Sequence, residues 1–264
     1  GHTLGILEKY PDTQILGIEF DPNIFQEFQN KEVSGKIISV NDSYVNLRDI
    51  VQKYYFRPDG IIFDLGLSSW HFESSWRGFS FRRDEILDMR FNPSAGSGQV
   101  RTAADIVNNS DPKELERIIS EYGEEQFASQ IAKEIVTTRK EKPIIKTLEL
   151  VRAIEKSVPD WYKNRKIHFA TKTFQALRVF VNDELNNIRQ GIESAIDVLN
   201  PGGRLVVISF QGMEDKIVKE IFRAKLKEGI IRLPIKGTIK PTWDEVKNNP
   251  RARSAKMKVA EKTY

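Results

Sequence analysis

Two carboxylates stand where apolar runs of strand length stop: Glu19 closes Gln14-Ile15-Leu16-Gly17-Ile18, and Asp64 closes Gly60-Ile61-Ile62-Phe63. A buried parallel strand delivers its last residue to the edge where open α/β sheets hold their ligands, and an acid there accepts hydrogen bonds from hydroxyls or amines. Gly66, Ser68 and Ser69 follow Asp64 and add small, polar, turn-forming residues at that edge. Taken alone, Asp64 reads as a turn cap, its carboxylate bonding nearby backbone N–H groups. Set beside Glu19 it reads as half of a nucleoside site, with one acid for ribose hydroxyls and one for a polar group near a base or an amino-acid tail. Gly1 and His2 stand ahead of a mildly amphipathic stretch, as the end of a glycine loop opening a helix would. The expectation is the second half of a βαβ unit whose first strand is missing.

Other chemistries are closed off. There is no cysteine, so thiolate nucleophiles and disulfides are excluded, and the three histidines, His2, His71 and His168, have no metal-ligand spacing. The 264 residues suffice for one large domain or two modest ones. No apolar run approaches the roughly 20 residues of a membrane helix. With a cysteine-free composition, the expected location is the cytoplasm. A formal charge of +4 gives only a slight lean toward an anionic partner. Locally, Lys163, Arg165, Lys166, Lys172 and Arg178 interleave with Trp161, Tyr162 and Phe169, and a second basic run spans Lys247 to Lys262. Each cluster alone is a solvated face; the two together make a nucleic-acid surface an equal reading.

The positioning elements follow from periodicity. Strands are expected at Gln14 to Phe20, Lys36 to Val40, Gly60 to Leu65, Arg204 to Phe210 and Ala255 to Ala260. Helices are expected at Pro22 to Asn30, Leu47 to Tyr55 and Met213 to Leu226. The strand signal stops between Thr102 and Ala170, where Asp111 to Ser120, Glu124 to Arg139 and Leu148 to Ser157 carry helical spacing. One long amphipathic segment, Thr171 to Leu199, then runs to the stop signal Asn200-Pro201-Gly202-Gly203. Strands alternating with helices predict a largely parallel sheet covered by helices, interrupted by an all-helical insertion.

Six segments occur in one order: Gly78-Phe-Ser-Phe81, Leu87-Asp-Met-Arg90, Tyr122-Gly-Glu-Glu125, the run Thr173 to Leu185 (TFQALRVFVNDEL), the run Leu199 to Phe210 (LNPGGRLVVISF) and the run Asn249 to Ala255 (NPRARSA). Together they resemble the ribosomal RNA small-subunit methyltransferase H family, also called MraW, across essentially the whole chain. The resemblance implies a Rossmann-like methyltransferase sheet over residues 1–101 and 171–264, with an inserted helical substrate-recognition domain at 102–170. It implies transfer of a methyl group from S-adenosylmethionine to the N4 amine of a cytosine in small-subunit ribosomal RNA, free or in the assembling subunit.

By the same resemblance, the family's Asp-Gly-Thr-x-Gly-x-Gly-Gly-His cofactor loop ends here on Gly1 and His2, so the chain is expected to start inside it. Glu19 matches the acid that binds ribose hydroxyls. Tyr44 matches an aromatic beside the adenine, although a core aromatic at a helix entry is its plain reading. Asp64 matches a cofactor-contacting acid, and His71 stands where the family often has Gln. Arg77, Arg90, Arg178, Arg251 and Arg253 are expected to line an open side where RNA phosphates pass, with Trp70, Trp76, Phe79 and Phe81 among the aromatics of that channel or simply packed in its loops.

No general base can be named, and the Asn/Asp-Pro-Pro-Tyr/Phe tetrapeptide of many amino-methyltransferases is missing after Asp64. Gln211 and Gly212 replace a His and a Ser of the family pattern. That change keeps a second class open, a non-catalytic RNA-binding assembly factor on the same fold. A nicotinamide-dependent oxidoreductase shares the strand, glycine loop and acid, but no Tyr-Lys or His-carboxylate pair can be placed for it.

Overall fold

The computed structural model describes residues 1–29, 35–94 and 101–264. The chain begins with α1 (His2–Lys9), β1 (Ile15–Glu19), α2 (Pro22–Gln29), β2 (Ile37–Asn41), α3 (Leu47–Lys53) and β3 (Gly60–Asp64). α2 opens on Pro22, where a missing N–H costs nothing, and Asp21 Oδ1 accepts from the Asn23 N–H at 3.0 Å. Asn30, the expected end of that helix, lies outside the described residues.

Seven helices follow: α4 (Ser69–Glu73), α5 (Ala103–Asn109), α6 (Pro112–Gly123), α7 (Ala128–Glu141), α8 (Thr147–Ser157), α9 (Asp160–Lys163) and α10 (Thr171–Val181). The chain then runs through α11 (Glu184–Val198), β4 (Arg204–Ser209), α12 (Gly212–Lys227), β5 (Ile231–Arg232), α13 (Trp243–Asn248) and β6 (Lys256–Lys262).

β1 and β2 pair in parallel, with Glu19 opposite Asn41. A second sheet has the order β3-β4-β6-β5, with β3 parallel to β4 so that Asp64 lies opposite Ile208, and β6 antiparallel to both β4 and β5. The five expected strands are present within two residues of their expected limits; β5, two residues long, carries too little pattern to be read in advance.

The backbone divides into two compact units, Gly1–Gly66 with Leu185–Tyr264, and Leu67–Glu184. In the first, α11 presents Ile188, Ile192, Ala195 and Ile196 at helical spacing, and α12 presents Ile217, Val218, Ile221 and Phe222. These bury Phe63, Leu65, Leu205 and Val207 of β3, its end and β4. In the second, the core holds Leu87, Ile106, Leu115, Ile118, Ile131, Leu150, Ile154 and Leu177. Its elements are helical among the described residues; the one bridge made by Lys146 goes to Ile86, within the same unit. Thr102 and Asp105 form a capping box on α5, and Asp111 caps α6 through the Lys113 and Glu114 N–H groups, with Pro112 at the first position.

Two boundaries differ from expectation. The helical unit is wider than 102–170, because Phe79, Leu87 and Met89 on one side and Phe174 and Leu177 on the other are buried in its core. The segment Thr171 to Leu199 is two helices and not one. Asp183 sits at φ +47°, and the Asn182 side chain donates to the carbonyls of Met89 and Arg178 (2.8 and 2.9 Å) while accepting from the Phe91 N–H at 2.8 Å. A break held by three hydrogen bonds leaves no trace in apolar spacing.

Candidate functional site

The first unit brings four of the expected residues into one connected run. Glu19, at the end of β1, accepts from the Asp21 N–H at 2.8 Å. Burial pushes its carboxyl above the ordinary value, against the pull of that N–H. Its register partner Asn41 donates to the Glu19 carbonyl at 2.7 Å and ties the two strand ends together. Three residues on, Tyr44 opens a short 3₁₀ turn capped by Ser43, whose hydroxyl accepts from the Val45 N–H. The Tyr44 ring stands edge-on to Phe63, with centroids 5.3 Å apart. It also lies on Gly191 of α11, where a Cβ would sit 2.5 Å from the ring. Phe63 precedes Asp64, and Asp64 Oδ2 lies 3.3 Å from His2 Nε2 at the start of α1.

Asp64 is not a turn cap. Among the described residues its carboxylate has His2 as partner and makes no hydrogen bond to the backbone; the side chains are 47% and 58% exposed. The turn after it is made by Gly66 at φ +101°, a backbone conformation that favours glycine. Gly1 is the N-cap residue of α1 and contributes its carbonyl to the Gly5 N–H. An acid desolvated at one strand end, a half-exposed acid at another and an aromatic wall backed by a glycine suit a nucleoside-bearing cofactor with a polar tail. Asn41 and Gly191 were not singled out from the sequence. Asn41 carried a usable signal, a polar residue ending an apolar run; Gly191 lies mid-helix with none.

His71 belongs to the helical unit. It is buried, its Nδ1 3.0 Å from Ser68 Oγ, in a box formed by Trp70, Phe79 and Phe91 at centroid distances of 5.8, 5.0 and 5.3 Å. The expected RNA-facing arginines separate into two kinds. Arg77 is buried, donating to the Arg90 and Phe91 carbonyls at 2.8 and 2.7 Å with its guanidinium over Trp70 and Phe79. Arg90 grips Asp88 with two nitrogens at 2.7 and 2.8 Å. Arg178 does the same with Glu184 at 2.6 and 2.9 Å, the side chains only 11% and 7% exposed. These three cations shape the unit from within and do not present free charge. Arg251 and Arg253, on the 3₁₀ segment Pro250–Ser254, are exposed.

Parallel strands ending in acids, a glycine turn and an aromatic wall belong to the α/β enzymes that hold a nucleoside cofactor at the carboxyl edge of a sheet. The MraW methylase family model matches residues 1–263. Among proteins named ribosomal RNA small subunit methyltransferase H, that of Thermosipho melanesiensis is 44% identical over 99% of this chain and 87% of its own length. That of Elusimicrobium minutum is 43% identical over 99% and 88%, and that of Dehalococcoides mccartyi 42% identical over 99% and 78%. The chain belongs to the MraW methylase family, and so to the S-adenosylmethionine-dependent methyltransferases.

Proposed function

We propose that the protein transfers the methyl group of S-adenosylmethionine to the N4 amine of a cytosine in small-subunit ribosomal RNA. The observation that carries this reading is the family match over residues 1–263 on a chain whose strand ends carry Glu19 and Asp64. When bound, the cofactor supplies a methyl group already activated on a sulfonium. The protein's task is therefore positioning, which can supply roughly 7–11 kcal/mol of the barrier. Glu19 would accept from the ribose hydroxyls, Tyr44 would wall the base, and Asp64 would accept at the strand end, from the cofactor's ammonium or the cytosine amine. Gly1 and His2 would lie along the cofactor's amino-acid portion, and His71 would act from its aromatic box by shaping the segment after Asp64.

Substrate RNA is proposed to meet exposed Arg251 and Arg253 and the basic stretch around Arg165, whose guanidinium lies 5.1 Å from the Tyr162 ring centroid. Residues 67–184 are proposed as the substrate-recognition part, and the cytoplasm as the place of action.

The missing first strand is proposed to lie between β1 and β3. The two sheets are separate, and β3, an edge strand of its sheet, leaves the apolar Ile62 45% exposed. A parallel strand inserted there would cover Ile62 and join the sheets into one.

The Gln211-Gly212 change keeps the assembly factor as the second reading: Gln211 is the N-cap residue of α12, where its backbone N–H donates to Glu214 Oε2 at 3.1 Å as any residue's would, while its own Oε1 is buried without a hydrogen-bond partner among the described residues. Transfer of tritiated methyl groups from S-adenosylmethionine to small subunits or their RNA, followed by mapping of the modified cytosine, tests the proposal. RNA binding without transfer would establish the assembly factor instead.

A further inference from the structure

Within the helical unit, Trp76 is 61% exposed although its neighbours on both sides are pinned. Ser75 donates its hydroxyl to the His71 carbonyl at 2.6 Å and its N–H to the Trp70 carbonyl at 3.1 Å. Arg77 donates its N–H to Ser75 Oγ, and its carbonyl accepts from the Met89 N–H at 2.7 Å. Trp76 itself sits at φ +56°, a conformation unfavourable to a bulky residue. Met89 at +63° and Gly78 at +77° share the same loop. Strained backbone of this kind persists where the surroundings over-determine it, and it concentrates at ligand-binding segments.

The indole is also held from one side. The Arg83 guanidinium lies 4.9 Å from its centroid. Arg83 is fixed in turn by a hydrogen bond to the Phe72 carbonyl and by an ion pair at 3.2 Å with Glu85, whose side chain is fully buried and accepts from the Gly78 N–H at 2.9 Å. Arg82, next in the chain, is exposed. An indole left in water forgoes the burial that makes tryptophan a core residue. Held rigid, with a cation over one face and positive charge beside it, it matches the stacking platforms on which proteins seat unpaired bases.

We propose that Trp76 is a base-stacking station for an unpaired nucleotide of the RNA substrate, with Arg83 as the positioning residue that holds the ring. This rests on the RNA-methylation reading above. The nucleotide is one flanking the target, since the role is retention of the strand and not chemistry on the amine.

The test is a two-way substitution scan. Wild type, Trp76→Ala and Trp76→Phe are titrated with a single-stranded oligoribonucleotide spanning the methylated cytosine, and with versions carrying one abasic position each. The expected results are about tenfold weaker binding for Trp76→Ala, near-recovery for Trp76→Phe, and one abasic position that costs wild type a similar factor yet costs Trp76→Ala nothing. The salt dependence should stay as in wild type, because no phosphate contact is lost. The melting curve and the S-adenosylmethionine affinity of Trp76→Ala should match wild type, which certifies its fold. If wild type methylates the RNA but Trp76→Ala binds equally well, or every abasic position costs both proteins the same, the stacking station is refuted and the methylation reading survives. If wild type neither binds nor methylates, the methylation reading fails, and the station with it.

Discussion

Replacing Asp64 with Asn keeps the shape of the strand end and removes its charge. The only partner of the Asp64 carboxylate among the described residues is His2 Nε2 at 3.3 Å, with both side chains about half exposed. Solvent-exposed pairs contribute about 0–1 kcal/mol, and for a chain of this size 1 kcal/mol moves Tm by about 2–4 °C. The variant should therefore melt no more than about 4 °C below wild type. Transfer should respond very differently. A hydrogen bond to a charged group is worth about 1.5–3 kcal/mol, so losing the charged acceptor at the reacting end should cut single-turnover transfer roughly ten- to hundredfold. Thermal melts and transfer of tritiated methyl from S-adenosylmethionine, on the same preparation, separate the outcomes. A variant that melts more than about 4 °C lower and methylates normally would mean that Asp64 serves the fold, as a cap does, and would refute the assignment. Unchanged melting with unchanged transfer would refute it equally.

Gly191→Ala would place a methyl group 2.5 Å from the Tyr44 ring, so the ring must move; S-adenosylmethionine affinity, read by calorimetry, should fall several-fold if Tyr44 walls the base and stay unchanged if it only packs against Phe63. Burial alone would raise the Asp215 carboxyl, but hydrogen bonds from Lys219 and Lys258 and the nearby Lys256 outweigh it and hold it at about 2. Its stabilisation, about 2 kcal/mol, is complete above the unfolded value near 3.8 and is lost as pH falls toward 2; in Asp215→Asn, acid melts should lose that part of the pH dependence. Arg178→Ala breaks a buried two-point ion pair with Glu184 and should cost about 3–5 kcal/mol in denaturant unfolding. Arg251→Ala should leave stability within about 0.5 kcal/mol and lower the salt slope of RNA binding by about 1.

Strand ends were legible because a buried parallel strand must be apolar and must stop, so a polar residue after such a run marks the edge of the sheet; Glu19 and Asp64 were both found this way. The limits of the helical unit were not legible from the same signals. Phe79, Leu87 and Met89 lie in an irregular segment with no period, and only long-range packing assigns them to the helical core. The break at Asn182-Asp183 escaped for a related reason, since α10 and α11 have in-phase apolar faces and the interruption is made by side-chain hydrogen bonds to residues some ninety positions away. Roles of arginines were the least readable. Arg77, Arg90 and Arg178 look in sequence like Arg251 and Arg253, and what separates them is burial imposed by the fold: the first three are buried or partly buried, the last two exposed.

That separation also bears on where the chemistry lies. Arg178 and Arg90 are each saturated by a two-point carboxylate, and Arg77 by two carbonyl oxygens, so their charge is spent within the protein and a phosphate could engage them only by displacing those partners. Glu19 and Asp64 have the opposite character. Glu19 is desolvated, with its carboxyl pushed upward, and Asp64 is held by one histidine across a half-exposed contact. Buried acids elsewhere in the chain also have protein partners: Glu85 has the Gly78 N–H and Arg83, Glu125 has the Phe127 N–H and the Tyr162 hydroxyl at 2.9 and 2.6 Å, and Asp215 has lysines around it, although Glu85 Oε1 and Glu214 Oε1 make no hydrogen bond among the described residues. Glu19 accepts from the Asp21 N–H and Asp64 keeps half its surface in water, so it is their place at the ends of β1 and β3 that we propose offers them to a cofactor's hydroxyls and ammonium. On that proposal, substitutions at Arg77, Arg90 and Arg178, which brace the fold, should register in melts, and substitutions at Glu19 and Asp64 in methyl transfer.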